Sequence, residues 1–272
     1  MKIPRSKIGS RHGITAATIS LLTLAPAANA QSCRTDSPAH TVALVELYTS
    51  EGCSSCPPAD RWLSALVNKP RDGRFVALAL HVDYWDYLGW RDRFASPVFT
   101  QRQNTLTRLG HAQFAYTPEV FLGMREFRGW SNKSDIESAV LAINKLPAQA
   151  DISLGLQAGA GARERVLHAV FRLKPGVVAA QAQGYVVIYE DKLSTAVESG
   201  ENRGATLRHD RVVRQWLGPL SLQGGAVDVL RTIAIPPEWQ TEHLGVAAFV
   251  ENPSAGVILQ ASSLEGCRTS GG

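Results

Sequence analysis

Two cysteines separated by two serines, Cys53 and Cys56, are the residues best suited to chemistry in this sequence. The apolar run Val42 to Tyr48 before them predicts a buried strand, and Pro57 suits the first turn of a following helix. A thiol at a helix N-terminus becomes acidic because the free N–H groups and the helix dipole stabilise a thiolate. The spacing therefore predicts a redox-active pair, with Cys53 as the exposed nucleophile and Cys56 as the resolving thiol.

Two further cysteines, Cys33 and Cys267, lie near opposite ends of the chain. Four cysteines allow three pairings. If Cys53 bonds to Cys56, Cys33 and Cys267 pair by default as a structural disulfide. A static staple is the alternative role for the Cys53–Cys56 bond, although closing so small a loop stabilises little. Another alternative is a copper site that includes His81, since thiolates and imidazole suit copper. We predict neither a metal nor another cofactor.

The first 30 residues predict a cleaved signal peptide. Basic residues precede a mostly small, apolar segment, and Ala28-Asn29-Ala30 fits a cut after Ala30. The apolar segment is shorter than the ~20 residues that a spanning helix needs. We therefore expect a periplasmic or secreted protein whose mature chain has no stable membrane span, in a compartment where disulfides persist.

The charge balance argues against a nucleic-acid partner. The chain has 28 Lys plus Arg and 24 Asp plus Glu, and the whole excess of four lies in residues 1–30. The mature chain is formally neutral and has no overall field to hold a polyanion. A local basic cluster between Arg203 and Arg214 is interpreted as a solvated strand face. The predicted partner is a protein or a small thiol or disulfide substrate.

Three segments resemble the DUF1223 family of exported bacterial proteins, which have a thioredoxin-like core and no agreed reaction. They run from Val45 to Asp60, from His81 to Trp90, and over Tyr116-Thr117-Pro118. The resemblance implies that the Thr117–Pro118 bond is cis and faces the cysteines, with the backbone of Thr117 offered to a bound peptide. The family pattern has Gln where this chain has Glu119, which adds a possible negative charge near the thiols.

Aromatic residues are dense after the second predicted strand. Tyr84, Trp85 and Trp90 lie in one short segment, and Tyr116 precedes the Thr-Pro pair. Such residues are enriched at interfaces, so we predict that these four bind substrate. A satellite core beneath a long crossover is the equal alternative. Three carboxylates, Asp60 on the predicted helix, Asp83 and Asp86, could assist proton movement at the buried thiol, since a buried carboxylate of raised pKa can act as a general base.

The pattern of elements predicts two domains. Strands and helices alternate over residues 31–147, with one helix running from Pro97 to about Leu109 and another opening on a capping box at Ser134. Residues 148–272 contain seven short β-rich runs, one of them from Leu207 to Leu217. We therefore expect an α/β thioredoxin-like domain with a parallel sheet, followed by an all-β sandwich-like domain.

Overall fold

The structure is a computed structural model that describes residues 1–2, 33–68 and 73–265. Residues 3–30 of the predicted signal peptide and Cys267 lie outside the described residues. The described part of the chain forms fourteen strands and three α-helices. In chain order they are β1 (Cys33–Asp36), β2 (Ala43–Thr49), α1 (Pro57–Val67), β3 (Phe75–His81), α2 (Pro97–Leu109), β4 (Glu119–Leu122), β5 (Arg125–Glu126), α3 (Lys133–Asn144), β6 (Ala150–Ala158), β7 (Glu164–Leu173), β8 (Gln183–Glu190), β9 (Leu193–Ala196), β10 (Thr206–His209), β11 (Val212–Ser221), β12 (Ala226–Ala234), β13 (Leu244–Asn252) and β14 (Val257–Glu265).

The strands form three sheets. The largest has eight strands in the order β14-β13-β8-β11-β3-β2-β4-β5. Within it, β3 runs parallel to both β2 and β11, and the other neighbours are antiparallel. A second, antiparallel sheet has the order β1-β6-β7-β12, and β9 pairs with β10 as a separate hairpin.

The expected fold class is wrong. In place of an α/β thioredoxin-like domain followed by a separate β-sandwich, the chain forms a β-rich fold in which one sheet contains strands from both halves. The junction lies where β11 joins β3, with Val212 opposite Ala79, and the Ala79 N–H donates to the carbonyl of Arg211 at 2.8 Å. Strand β8 explains the difference, because it is buried on both faces. A strand with two apolar faces needs covering layers on both sides, so it extends the first sheet.

The eight-stranded sheet is covered on both faces. On one face Leu44 and Tyr48 of β2 pack in the same cluster as Phe99 and Leu106 of α2. On the other face Val45 packs with α1 and α3. The four-stranded sheet packs on that same face further along, where alternate residues of β8 and β13 join its core. The ends of β2 and β3, with α1, are thereby held against elements of the C-terminal half.

Several element boundaries were predicted well. Helix α2 begins at Pro97 and ends at Leu109, with the Ser96 side chain accepting from the Val98 N–H at 3.3 Å. The capping box at Ser134 is wrong, because Asn132 caps α3. The run predicted as one strand from Leu207 to Leu217 divides into β10 and β11, since Arg211 has φ of 61° between them.

Candidate functional site

Cys53 and Cys56 form a disulfide at the start of α1, with their Cα atoms 5.4 Å apart. Strand β2 ends at Thr49, a short turn follows, and Cys56 immediately precedes the helix. The helix begins with two prolines. Proline has no N–H group, so it suits the first turn, where N–H groups have no acceptor within the helix. No cysteine in the described residues is free. The strand–turn–helix context predicted for this pair is thus present, and its bond is closed.

Both cysteines are fully buried, although Ser54 and Ser55 between them are exposed. The expectation of an exposed Cys53 is therefore wrong for the disulfide form. The turn is covered by the loop that joins β9 to β10. Asn202 in that loop donates from Nδ2 to the Cys53 carbonyl at 2.9 Å, and Glu201 accepts from the Ser54 N–H at 3.0 Å. A segment about 150 residues away in sequence is thus responsible for part of the burial.

The Thr117–Pro118 peptide bond is cis, which confirms the expectation from the resemblance. The Thr117 carbonyl oxygen lies 3.8 Å from Cys53 Sγ and accepts a hydrogen bond from Ser55 Oγ at 3.4 Å. Trp85 donates from Nε1 to Thr117 Oγ1 at 2.7 Å. The cysteine turn, the cis-proline and one of the predicted aromatic residues therefore meet at one place.

The four predicted aromatic residues have different surroundings. Trp90 is half-buried and donates from Nε1 to Glu51 Oε2 at 3.0 Å, which places it, like Trp85, against the cysteine turn. Tyr84 packs on the α2 side of the sheet, where burial raises its pKa to about 12. Tyr116 is 37% exposed. Trp85 and Trp90 thus reach the site, and Tyr84 packs with Trp85 on the same core while it also interacts with the Thr117 side chain. The Tyr116 hydroxyl donates to Glu126.

A cluster of buried ionisable side chains lies beside the cysteine turn. His81 Nδ1 is 2.6 Å from Asp92 Oδ2, with both side chains fully buried. His209 Nε2 is 3.4 Å from Glu51 Oε1, and His209 Nδ1 is 3.8 Å from Asp60 Oδ2. The His81 and His209 rings are in edge-to-face contact at 4.9 Å between centroids. We call these five residues the buried charge cluster.

The electrostatics of the buried charge cluster favour an internal ion pair. Burial alone would lower the pKa of His81, but the carboxylate of Asp92 outweighs it, so the pKa of His81 is raised. Burial alone would raise the pKa of Asp92, but His81 lowers it. Burial raises the pKa of Asp60, which lies one helical turn after Cys56. Asp60 therefore holds its proton more strongly than a free carboxyl, as a general acid or base near thiols must.

Glu119, directly after the cis-proline, has a strongly perturbed pKa. Burial raises its pKa to about 7, even though Gln103 donates to its Oε2 at 2.7 Å. The same Gln103 amide donates to the Tyr116 carbonyl at 2.7 Å. Glu119 Oε1 is buried and has no hydrogen-bond partner. The predicted negative charge near the cysteines is thus largely neutralised below neutral pH.

Sequence reasoning missed much of this site. Glu201 and Asn202 belong to a segment, Gly200-Glu201-Asn202, that resembles the family weakly, but they were given no role, and neither was Asp92. A usable signal for His209 was its place two residues after the apolar Leu207, on the same face of a strand. The basic cluster was expected to be a solvated face, but His209 is 2% and Arg211 3% exposed. That expectation was wrong for His209 and Arg211, whose side chains reach carboxylates. Arg203 and Arg208 of the same cluster are exposed, as expected.

The described residues contain no group of three or more His, Cys, Asp or Glu side chains arranged to hold a metal ion. His81, the residue considered for copper, has its Nδ1 on Asp92. Among the same residues, no helix is both long and apolar enough to cross a membrane.

A family model described as "Protein of unknown function (DUF1223)" matches residues 44–251, more than half of the chain. The chain belongs to this family. The match extends from β2 into β13 and includes the cysteine turn, the cis-proline and the β9–β10 hairpin. Membership in DUF1223 thus covers every element of the site, and it assigns no reaction.

Solved structures show the same fold. A crystal structure of a protein from Agrobacterium tumefaciens is 24% identical, with a TM-score of 0.57, and the match covers 86% of this chain and 98% of that one. HBP35 of Porphyromonas gingivalis is 14% identical, with a TM-score of 0.62, and the match covers 87% of this chain and 79% of that one. No protein among those with curated descriptions matches the chain.

Proposed function

We propose that this DUF1223 protein is an exported thiol–disulfide oxidoreductase that acts through Cys53 and Cys56. The observation that carries the proposal is the position of the disulfide, which closes the turn before α1 while Cys53 Sγ lies 3.8 Å from the Thr117 carbonyl beside the cis-proline. That carbonyl belongs to backbone that a bound peptide chain could pair with. The substrate would be a protein or small molecule that carries thiols or a disulfide.

The proposed reaction balances without a cofactor. A substrate thiolate attacks Cys53 Sγ, the Cys53–Cys56 bond breaks, and Cys56 leaves as a thiolate that takes up a proton. A second substrate thiolate then attacks the substrate sulfur of the mixed disulfide, and Cys53 leaves. The substrate loses two electrons and two protons, and the protein gains them as two thiols. The reverse sequence reduces a substrate disulfide, and the relative reduction potentials set the direction.

The roles of the two cysteines follow from their positions. Cys53 precedes the helix, where N–H groups and the helix dipole stabilise a thiolate. Cys56 lies at the helix start, one turn before Asp60, whose raised pKa suits it to exchange a proton with a departing thiolate. Thr117 and Pro118 would position the substrate, and Trp85, Trp90 and Tyr116 would surround it.

One observation favours a second candidate, a redox-inert binding protein. Neither cysteine has exposed surface in the disulfide form, as expected of a structural bond. Under this alternative the exposed Tyr87 and Tyr116 would contact a partner. The copper-handling version is less well supported, since His81 is already paired with Asp92.

Trapping of mixed disulfides separates the two candidates. The Cys56→Ser variant, exported with its own N-terminal segment in a bacterial periplasm, should accumulate adducts through Cys53 on non-reducing gels. Cys53→Ser should trap few, and Ser54→Ala serves as the matched control that retains both thiols. Adducts with neither cysteine variant, together with a Cys53–Cys56 potential far below about −300 mV, would show a structural bond and reject the proposal.

Export is part of the proposal. A disulfide among the described residues fits a compartment where such bonds persist. N-terminal sequencing of the protein recovered from the periplasm should begin at Gln31 if the cut follows Ala30. Recovery of the uncleaved chain in the cytoplasm would contradict this part.

A further inference from the structure

The loop that joins β9 to β10, residues 197–205, is a preformed unit. The Gly204 N–H donates to the Val197 carbonyl at 2.8 Å, and the Val197 N–H donates to the Ala205 carbonyl at 2.9 Å. Gly204 has φ of 84°, a conformation that favours glycine. Because these bonds close the loop on itself, it can move against the rest of the protein without unfolding.

Asn202 joins this loop to the cysteine turn. Its Nδ2 donates to the Glu51 carbonyl at 2.8 Å and to the Cys53 carbonyl at 2.9 Å. One side-chain amide therefore holds two carbonyls on either side of Gly52 and fixes the approach to the disulfide. Earlier in the loop, Ser199 Oγ donates to the Gly89 carbonyl at 2.5 Å.

Glu201 accepts a hydrogen bond from the Ser54 N–H, a donor that a thiolate at Cys53 would need. Its Oε2 accepts from the Ser54 N–H at 3.0 Å. Hydrogen bonds from the Ser54 side chain and, to a smaller extent, from its N–H lower the pKa of Glu201, which is solvent-exposed. The Ser54 N–H lies between the two cysteines at the start of α1, where free N–H groups stabilise anions. While the carboxylate is there, that N–H is unavailable to Cys53, and the added negative charge disfavours a thiolate.

We propose that residues 197–205 are a movable cover over the Cys53–Cys56 disulfide, held closed by Asn202 and Glu201. Displacement of the cover exposes the disulfide to an attacking thiolate and releases the Ser54 N–H. The statement that this loop regulates a reaction rests on the proposed function. The statement that it covers the disulfide does not. At its tip, Ser199, Glu201 and Asn202 form hydrogen bonds to Gly89 and to residues 51–54. Gly200 lies against Trp90, and Val197 at the base of the loop is buried. A tip that is held mainly by a few polar bonds is typical of segments that open locally.

The rate at which a water-soluble phosphine reduces the oxidised protein tests the cover. If the reductant attacks only the open form, the rate is proportional to the open fraction. Asn202→Ala removes both bonds and should accelerate reduction about tenfold or more, since each such bond contributes on the order of a fivefold shift. Asn202→Asp preserves the size but replaces the donors with a carboxylate, so it should also accelerate reduction. Arg203→Ala, an exposed change in the same loop, is the control and should leave the rate unchanged.

A second readout concerns the reduced protein. Glu201→Gln should lower the pKa of the Cys53 thiol, measured from the pH dependence of alkylation by iodoacetamide, because it removes a charge beside the Ser54 N–H. The proposal of a cover is overturned if the reduction rate is the same for the parent, both Asn202 variants and Arg203→Ala. This holds even if Cys56→Ser traps substrates. Faster reduction in the Asn202 variants, with no trapping and a Cys53–Cys56 potential far below about −300 mV, would support the cover and reject the proposed function.

Discussion

Replacing Glu119 with Gln should stabilise the protein above neutral pH. The side chain is 1% exposed, and one of its oxygens has no hydrogen-bond partner. Burial raises the pKa of Glu119 from 4.5 to about 7. A difference of this size corresponds to about 3 kcal/mol between the ionised and protonated forms in the folded state. Glutamine keeps the acceptor for Gln103 but carries no charge.

The pH dependence has a defined sign. The folded state holds the Glu119 proton more tightly than the unfolded state, so this group weakens folding as pH rises. Below about pH 4.5 the carboxyl is protonated in both states and costs nothing. Between about 4.5 and 7 the cost grows, and above 7 it reaches its full value of ~3 kcal/mol. The advantage of Glu119→Gln should therefore be small at pH 5 and close to its maximum at pH 8.5.

Urea unfolding of the oxidised protein, followed by tryptophan fluorescence, measures this difference. The parent, Glu119→Gln and the exposed control Glu198→Gln are compared at pH 5 and pH 8.5. The control should match the parent at both pH values. A Glu119→Gln protein that is no more stable than the parent at pH 8.5, or whose advantage is the same at both pH values, would refute the reasoning.

Two further predictions concern stability elsewhere. Arg102 Nε lies 2.5 Å from Glu46 Oε1 and its guanidinium 3.0 Å from Glu251 Oε2, all three side chains buried. Arg102→Met should lower the free energy of unfolding in urea by about 3–5 kcal/mol, because two buried carboxylates lose their cation. The control Arg108→Met, at an exposed arginine of α2, should change it little. We also predict that Cys33 and Cys267 form a disulfide worth about 4 kcal/mol in the chain-entropy model. Non-reducing peptide mapping of exported protein would contradict this by finding either residue as a free thiol.

The buried charge cluster links the two halves of the chain at the site. Glu51 and Asp60 flank the cysteines in sequence, and His209 contacts both from the C-terminal half. The β9–β10 hairpin is held at its base by the buried His209 and at its tip by a few polar bonds. Its base is therefore firm, whereas its tip can open. This asymmetry is what the proposed cover needs.

The division into domains at residues 31–147 and 148–272 stays a prediction. The structure places β11 of the later segment next to β3 of the earlier one. Short apolar runs carry no information about their neighbours, because pairing between strands uses backbone groups that every residue has. Composition alone could not tell whether such runs close into their own sandwich or extend an existing sheet.

The sequence by itself determined the local chemistry of this protein. The apolar run before Cys53, the proline after Cys56 and the Ser96 cap each act within a few residues, so the turn, the disulfide and the starts of α1 and α2 could be predicted. The cis bond at Pro118 came from the family resemblance, not from spacing. Short-range propensity and capping are sufficient to predict the turn and the starts of the helices.

Only the tertiary structure decided what surrounds that chemistry. Asn202 and Glu201 form hydrogen bonds to the cysteine turn, and His209 meets Glu51 and Asp60 beside the helix. These contacts join positions about 150 residues apart in the chain. They exist because the two halves share one sheet, and the free energy of burying its two apolar faces, not any local pattern, selects that arrangement.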